Sequence, residues 1–249
     1  MDRKIRVGAV SYLNTKPLVY GFEQGMMKAD IELINDYPSN IAAKLLSDEI
    51  DIGLVPVAII PELTEHHIVS DFCIGSDGDV ASVCLFSDVP LDEIQTILLD
   101  YQSKTSVALL KILLKEHWKI SPELVAASED YEQKIFGRTA GLVIGDRAFK
   151  QRIRSQYIYD LGGAWKEMTG LPFVFAAWVS NKPMTENFKK AFNKANALGL
   201  SNLGAIISAA SCDMYDLETY YSKNISYHLD KEKKKGLRSF LNYITQKNQ

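Results

Sequence analysis

Strand-like and helix-like patterns alternate from the first residues of this chain, and that alternation restricts the fold more than any other feature. The predicted elements of the first part are a strand at residues 5–10, a helix at 17–24, a strand at 31–37, a helix at 40–46 capped by Ser39, and a strand at 51–55. Because parallel strands need helical crossovers, this order predicts an α/β fold with a parallel sheet. Ligands of such folds bind near the carboxyl ends of the strands.

A second alternating unit lies between two similar extended segments. These segments, SVCLFSDVP at 82–90 and FVFAAWVSNKP at 173–183, are apolar runs that each end in Ser, two further residues and Pro. The elements expected between them are a strand at 94–99, a helix at 105–117, a strand at 140–144 and a short helix at 148–152. Helical patterns then follow at 186–200, 204–210, 214–222 and 231–245.

The simplest fold for this order has two α/β lobes joined by two crossing strands, with a ligand cleft between the lobes. We expect residues 1–88 in the first lobe, 89–178 in the second, and 179–249 returning to the first lobe as helices. Pattern alone leaves one alternative open, a single globular domain in which the two similar segments are ordinary central strands.

The first candidate anion site is the junction between the first strand and the first helix. Polar residues gather there just before Pro17, namely Ser11, Tyr12, Asn14, Thr15 and Lys16. A helix start exposes unpaired backbone N–H groups and the positive end of the helix dipole, which suits a carboxylate or a phosphate. The same pattern is also typical of an ordinary N-cap after a buried strand.

A similar junction at LDYQSKTSVALL, residues 99–110, is the second candidate. Ser103, Thr105 and Ser106 precede or open an amphipathic helix there. Two such sites in opposite lobes would hold a ligand with an anionic group at each end. Ser82 and Asp146 are further candidates for the cleft, although a backbone-bonded serine and a helix-capping aspartate are the alternatives.

Composition and motifs exclude several classes of function. With 28 Lys plus Arg against 31 Asp plus Glu, the net charge of -3 gives no general attraction to nucleic acid. We find no signal-peptide pattern and no apolar run long enough to span a bilayer, so we expect a cytoplasmic protein without membrane contact. The three cysteines and four histidines show no metal-ligand spacing, and no nucleotide-binding motif is present, so we expect neither metal nor cofactor.

Six motifs together resemble the chorismate dehydratases, which catalyse the first step of the futalosine route to menaquinone. These motifs are VGAVSYLNTKPLVYG, DIGLVPV, SDGDVASVCLFS, LDYQSKTSVALLKILL, GLVIGDRAF and YDLGGAWKEMTGLPFVFAAW. The resemblance covers residues 5–180. It implies the type II fold of periplasmic solute-binding proteins and a carbon–oxygen lyase that converts chorismate into 3-[(1-carboxyvinyl)oxy]benzoate and water.

The resemblance also implies roles for particular residues. The family's catalytic Asn and Ser fall on Asn14 and Ser82, and Thr105 with Ser106 would anchor a carboxylate of chorismate. One departure is the loop that reads Gln102, Ser103 and Lys104, where the family pattern contains an Arg. Lysine keeps the charge but lacks the bidentate geometry of a guanidinium. The sister enzyme of the pathway uses a histidine after a strand of the second lobe, where this chain has Gly145 and Asp146.

Two functions of different classes remain open at this point. One is a lyase acting on chorismate, and the other is a cytosolic protein that binds or senses a small carboxylate without reacting with it. The C-terminal helices have apolar positions that fit either the core or a dimer interface, so a monomer and a homodimer are both expected possibilities.

Overall fold

The computed structural model describes residues 3–246. The strands are β1 (Ile5–Val10), β2 (Ile31–Asp36), β3 (Ile52–Pro56), β4 (His67–Ser76), β5 (Val83–Ser87), β6 (Thr96–Leu99), β7 (Glu123–Ala126), β8 (Thr139–Ile144), β9 (Tyr157–Asp160), β10 (Phe173–Ser180) and β11 (Ser226–His228). The helices are α1 (Lys16–Glu23), α2 (Pro38–Leu46), α3 (Lys104–Leu113), α4 (Asp146–Arg152), α5 (Leu161–Thr169), α6 (Glu186–Leu200), α7 (Leu203–Ala209), α8 (Leu217–Thr219) and α9 (Lys231–Gln246). None of the helices in this range has the length and apolar character needed to cross a membrane.

Two mixed sheets form the framework of the molecule. The strand order is β11-β4-β10-β3-β1-β2 in the first sheet and β7-β6-β8-β5-β9 in the second. In the first, β1 runs parallel to β2 and β3, while β10 runs antiparallel to β3 and β4. In the second, β6 runs parallel to β7 and β8, while β5 runs antiparallel to β8 and β9. The predicted two-lobed α/β fold is confirmed, with one sheet in each lobe.

The chain changes sheet at residues 77–82 and again at 161–172, the segment that contains α5. The two similar segments of the sequence form β5 and β10, but each pairs within a single sheet, β5 in the second and β10 in the first. The sheets therefore divide the chain a few residues before the expected boundaries at 88 and 178. Both strands are largely buried. An apolar run in the sequence predicts a buried strand, but it does not indicate which strands lie beside it.

The start of α2 differs from the prediction. Tyr37 holds the N-cap position, Pro38 opens the helix, and Ser39 lies inside its first turn instead of capping it. Proline is favoured at the first helical position because it has no N–H to leave unpaired.

The C-terminal helices pack against the first lobe through close backbone contacts. A Cβ atom added to Gly199 of α6 would lie 1.9 Å from the carbonyl oxygen of Pro17 in α1. One added to Gly21 of α1 would lie 2.2 Å from the carbonyl oxygen of Ala195 in α6. Glycine at both positions lets the two helices approach each other, and this holds α1 and the preceding turn in place.

Candidate functional site

A small cavity lies between the two lobes at the carboxyl ends of β1, β3 and β8. The first lobe contributes Tyr12, Asn14 and Thr15 to its lining, and the second contributes Ser103, Ser106 and Gly145. The remaining lining residues are mostly apolar. Its volume is about 60 Å³, whereas sites for drug-sized ligands measure about 300–1,000 Å³. The lobes are therefore closed on each other, and a ligand of that size enters only if they separate.

A larger groove lies on the outer side of the first lobe, between β4, α6 and α9. It measures about 640 Å³ and carries Lys189, Lys190, Lys234 and Arg238 on its walls. None of the residues singled out in the sequence lines it. Four of the expected site residues line the interlobe cavity, namely Tyr12, Asn14, Ser103 and Ser106, so that cavity is the candidate site.

The first helix start has no side-chain cap. A 3₁₀ turn at Leu13–Thr15 leads into α1, and Thr15 at the N-cap position makes no capping bond to the helix. Its hydroxyl instead donates to Asn14 Oδ1 at 3.3 Å. Asn14 and Thr15 are buried and line the cavity, whereas Ser11 and Lys16 are exposed and lie outside its lining. The expected polar cluster is thus split, and the ordinary N-cap interpretation does not describe this junction.

The second helix start is capped within its own lobe. Ser103 Oγ accepts from the backbone N–H of Ser106 at 3.2 Å, and the two hydroxyl oxygens lie 3.0 Å apart at the cavity wall. Thr105 is also buried, but its Oγ1 accepts from the N–H of Ala58 at 3.0 Å across the lobe boundary. Thr105 therefore joins the lobes and is not among the residues lining the cavity, contrary to the expectation that it faces a ligand.

A guanidinium lies near the cavity, but it comes from Arg147 and not from the 102–104 loop. Arg147 Nη2 donates to Asp100 Oδ2 at 2.6 Å and to Gln102 Oε1 at 3.0 Å. Gln102 Oε1 also accepts from the hydroxyl of Tyr12 in the opposite lobe. Lys104 points elsewhere and pairs with Glu62 at 2.9 Å. Arg147 thus orients the side-chain amide of Gln102, which accepts the hydrogen bond from Tyr12.

Asp146 also links the lobes. Its carboxylate accepts from the backbone N–H of Leu13 at 3.1 Å, and it makes no capping bond to α4 although it is the first residue of that helix. Burial raises the pKa of Asp146, while the Leu13 N–H and the charge of Lys16 act in the opposite direction. Asp146 thus does not cap α4, and it is not among the residues that line the cavity.

The segment that connects β4 to β5 determines the position of Ser82. It precedes β5, so strand alternation does not aim its side chain. Ala81 has a left-handed backbone with φ of 64°, and Asp160 accepts from the N–H groups of Val80 and Ala81 at 3.0 and 2.7 Å. The Ser82 carbonyl accepts from Gly145 N–H at 2.8 Å. These bonds hold a fully buried serine beside the cavity-lining Val83.

Two tyrosines from the C-terminal segment bring Asn14 and Ser82 together. The hydroxyl of Tyr220 donates to Ser82 Oγ at 2.8 Å, and burial raises the pKa of this phenol. The hydroxyl of Tyr227 donates to the backbone oxygen of Asn14 at 3.0 Å. Sequence reasoning missed both tyrosines, because nothing in the local pattern distinguishes them from core aromatics.

Comparison with known proteins identifies the family of this chain. A family model described as "Menaquinone biosynthesis" matches residues 5–246. The chain belongs to this family. A protein of Thermus thermophilus named chorismate dehydratase is 28% identical, over 94% of this chain and 93% of its own length. A second chorismate dehydratase, from Campylobacter jejuni, is 27% identical over 53% of this chain and 61% of its own length.

Solved structures show that this menaquinone biosynthesis family member has the fold of periplasmic binding proteins. The aliphatic sulphonate binding protein of Escherichia coli superposes with a TM-score of 0.66 at 12% identity, covering 100% of this chain and 94% of its own. A structural-genomics protein of Archaeoglobus fulgidus superposes with a TM-score of 0.75 at 16% identity, covering 98% of both chains. The fold implied by the sequence motifs is confirmed.

The site of this family member is suited to hydrogen bonding more than to acid–base chemistry. Of the described residues that line the cavity, Tyr12 alone is titratable, and burial raises its pKa. Among residues 3–246, no three His, Cys, Asp or Glu side chains converge to hold a metal ion. The polar groups at the cavity are hydroxyls, amides and backbone N–H groups. These groups carry no formal charge, and they bind an anion by donating hydrogen bonds to it.

Proposed function

We propose that this chain is a chorismate dehydratase, a hydro-lyase that converts chorismate into 3-[(1-carboxyvinyl)oxy]benzoate and water. Its membership of the menaquinone biosynthesis family and the Thermus thermophilus relative support this activity. The observation that carries the proposal is local. Asn14 and Ser82, 68 residues apart in the sequence, accept hydrogen bonds beside the interlobe cavity from two buried tyrosines of one C-terminal segment, Tyr227 and Tyr220.

The cavity binds the two carboxylates of chorismate through neutral donors. Ser103 and Ser106 offer hydroxyls at the start of α3, and Asn14 and Thr15 offer an amide and a hydroxyl before α1. Arg147 is already paired with Asp100 and Glu132. Preorganised donors in a site closed to water stabilise charge that develops during a reaction, and closure of the lobes supplies that exclusion.

The dehydration needs a proton acceptor and help for the departing hydroxyl. A ring proton and the neighbouring hydroxyl leave together as one water molecule, and the ring becomes aromatic. Because burial keeps Tyr12 protonated, we assign proton removal to the enolpyruvyl carboxylate of the substrate itself. Asn14 and Ser82 hydrogen-bond the departing hydroxyl and the neighbouring carboxylate.

The direct test is to incubate the purified protein with chorismate and follow the aromatic product by ultraviolet absorbance. We expect turnover by the wild type, and a loss of about 100-fold or more in kcat for Asn14→Ala and for Ser82→Ala. Ser11→Ala is the matched control, because this exposed serine belongs to the same loop as Asn14 and lies outside the cavity lining.

The results of this assay distinguish a lyase from a binding protein and test the roles of Asn14 and Ser82. Tight binding of chorismate without conversion by the wild type would contradict the lyase and favour a binding protein. Conversion by the wild type with near-normal turnover in both variants would keep the lyase but remove Asn14 and Ser82 from its mechanism. A loss in Ser11→Ala equal to that in Asn14→Ala would show that the loop, and not the amide, is responsible.

A further inference from the structure

Tyr220 belongs to an unusual piece of backbone. It opens a π-helical turn, Tyr220–Asn224, that directly follows the short helix α8. Such turns are rare and often occur at functional sites, where the wider turn redirects a side chain. The Tyr220 ring is fully buried and packs edge-on against Phe149 of the second lobe, with 4.9 Å between ring centroids. The C-terminal segment thereby reaches across the lobe boundary.

The hydrogen bond from Tyr220 determines what Ser82 can do. A phenol is a stronger acid than an aliphatic alcohol, so Tyr220 is the favoured donor and Ser82 Oγ the acceptor in their 2.8 Å contact. A serine hydroxyl has one proton, and a serine that accepts from Tyr220 keeps that proton for another partner. No other described group bonds to Ser82 Oγ, so this proton has no partner among the described residues, and the neighbouring Val83 lines the cavity.

We propose that Tyr220 is a positioning residue of the dehydration, which directs the hydroxyl proton of Ser82 toward the departing hydroxyl of the substrate. This inference rests on the proposed function. Without the phenol, Ser82 Oγ rotates freely and its proton is no longer held in one direction. Tyr227 of the same segment donates to the backbone oxygen of Asn14, so this segment contacts both proposed catalytic residues.

Neighbouring tyrosines show that the arrangement is specific to position 220. The Tyr221 hydroxyl is buried and has no hydrogen-bond partner among the described residues. Tyr227 donates to a backbone oxygen, and Tyr215 donates to Asn224 Oδ1 at 3.1 Å. Of these tyrosines, Tyr220 is the one whose hydroxyl contacts the side chain of a proposed catalytic residue, Ser82.

A double-mutant cycle of Tyr220→Phe and Ser82→Ala tests the inference. Phenylalanine keeps the ring packing, so we expect Tyr220→Phe to lower kcat by about 10-fold or more while KM changes by less than about two-fold. In the Ser82→Ala background, the same substitution is expected to cause no further loss, because the hydroxyl acts through Ser82. Tyr215→Phe, in the same aromatic cluster, is the control and should retain wild-type kcat.

Several results would overturn the inference. An equal kcat loss from Tyr220→Phe in the wild-type and Ser82→Ala backgrounds would show that the phenol acts independently of Ser82. Wild-type kcat in Tyr220→Phe would show that the phenol is not used, while leaving the dehydratase intact. Absence of chorismate turnover by the wild type would instead remove the proposed function, and this inference with it.

A second variant keeps the test valid if Tyr220→Phe does not fold. Site-specific 3,5-difluorotyrosine at position 220 retains the ring and the hydroxyl but makes the phenol more acidic. Because burial raises the pKa of Tyr220, the substituted phenol stays protonated and donates a stronger hydrogen bond to Ser82. We therefore expect the substitution to change kcat when Ser82 is present but not in the Ser82→Ala background, and an equal change in both backgrounds would contradict the inference.

Discussion

The two helix starts that face the cavity look alike in sequence but satisfy their backbone groups differently. The start of α3 is capped by Ser103 within its own lobe. The turn before α1 has no side-chain cap, and its Leu13 N–H donates to Asp146 of the other lobe. The first arrangement is complete in a single lobe, whereas the second exists only when the lobes are closed. We infer that caps within a lobe set the stability of the fold, and that contacts between lobes set access to the site.

A third helix start gives the largest expected effect. Asp160 caps α5 through Gly162 and Gly163 N–H and also accepts from Val80 and Ala81 N–H, which hold the loop before Ser82. We expect Asp160→Ala to lower the free energy of unfolding by about 3 kcal/mol, because several buried donors lose their acceptor, and to lower turnover as well. Urea denaturation and the chorismate assay measure both effects. Unchanged stability would contradict the importance of caps within a lobe.

Loss of the α3 cap should have a smaller effect. Ser103→Ala is expected to cost about 1 kcal/mol and to lower Tm by about 2–4 °C. Thr185→Ala removes a comparable cap, a bond to Phe188 N–H at 3.3 Å in α6, and serves as a control distant from the cavity. A KM increase for chorismate in Ser103→Ala but not in Thr185→Ala would identify the cavity hydroxyl as a ligand contact. Equal KM values would remove Ser103 from binding.

The contact between lobes predicts a pH dependence. Because burial raises the pKa of Asp146, the folded protein binds more protons than the unfolded chain between the unfolded and folded pKa values. The contribution of this group to stability therefore falls as pH rises through that interval. Asp146→Asn keeps an acceptor for Leu13 N–H but does not titrate. Urea denaturation across this interval should show the variant gaining stability relative to wild type as pH rises, and a constant difference would contradict the shift.

The smallest effect is expected at Lys104. Its ion pair with Glu62 is about half exposed at both ends and joins the lobes outside the cavity. Exposed pairs contribute at most about 1 kcal/mol, so Lys104→Gln should change stability by less than that and leave the KM for chorismate within about two-fold. A large KM increase would mean that this lysine reaches the substrate when the lobes open.

Much of the fold could be predicted because the relevant information is local. The strand at 5–10 has the predicted bounds, and α6 at Glu186–Leu200 also coincides with its prediction. Strands β4, β7, β9 and β11 and helix α5 were not predicted. The position of Ser82 before β5, and not within it, depends on the connecting loop and its Asp160 acceptor, which the apolar pattern does not encode.

The sequence by itself determined that apolar runs alternate with amphipathic helices, that polar residues collect at two helix starts, and that the motifs match one family. Only the tertiary structure decided that Gln102, held by Arg147, accepts from Tyr12, that Asp146 accepts from Leu13 N–H, and that Tyr220 and Tyr227 bond to Ser82 and Asn14. Periodicity reports which face of an element is buried, because burial depends on neighbours close in the chain. Hydrogen bonds between residues far apart in the chain depend on how the lobes pack, and no local pattern records that.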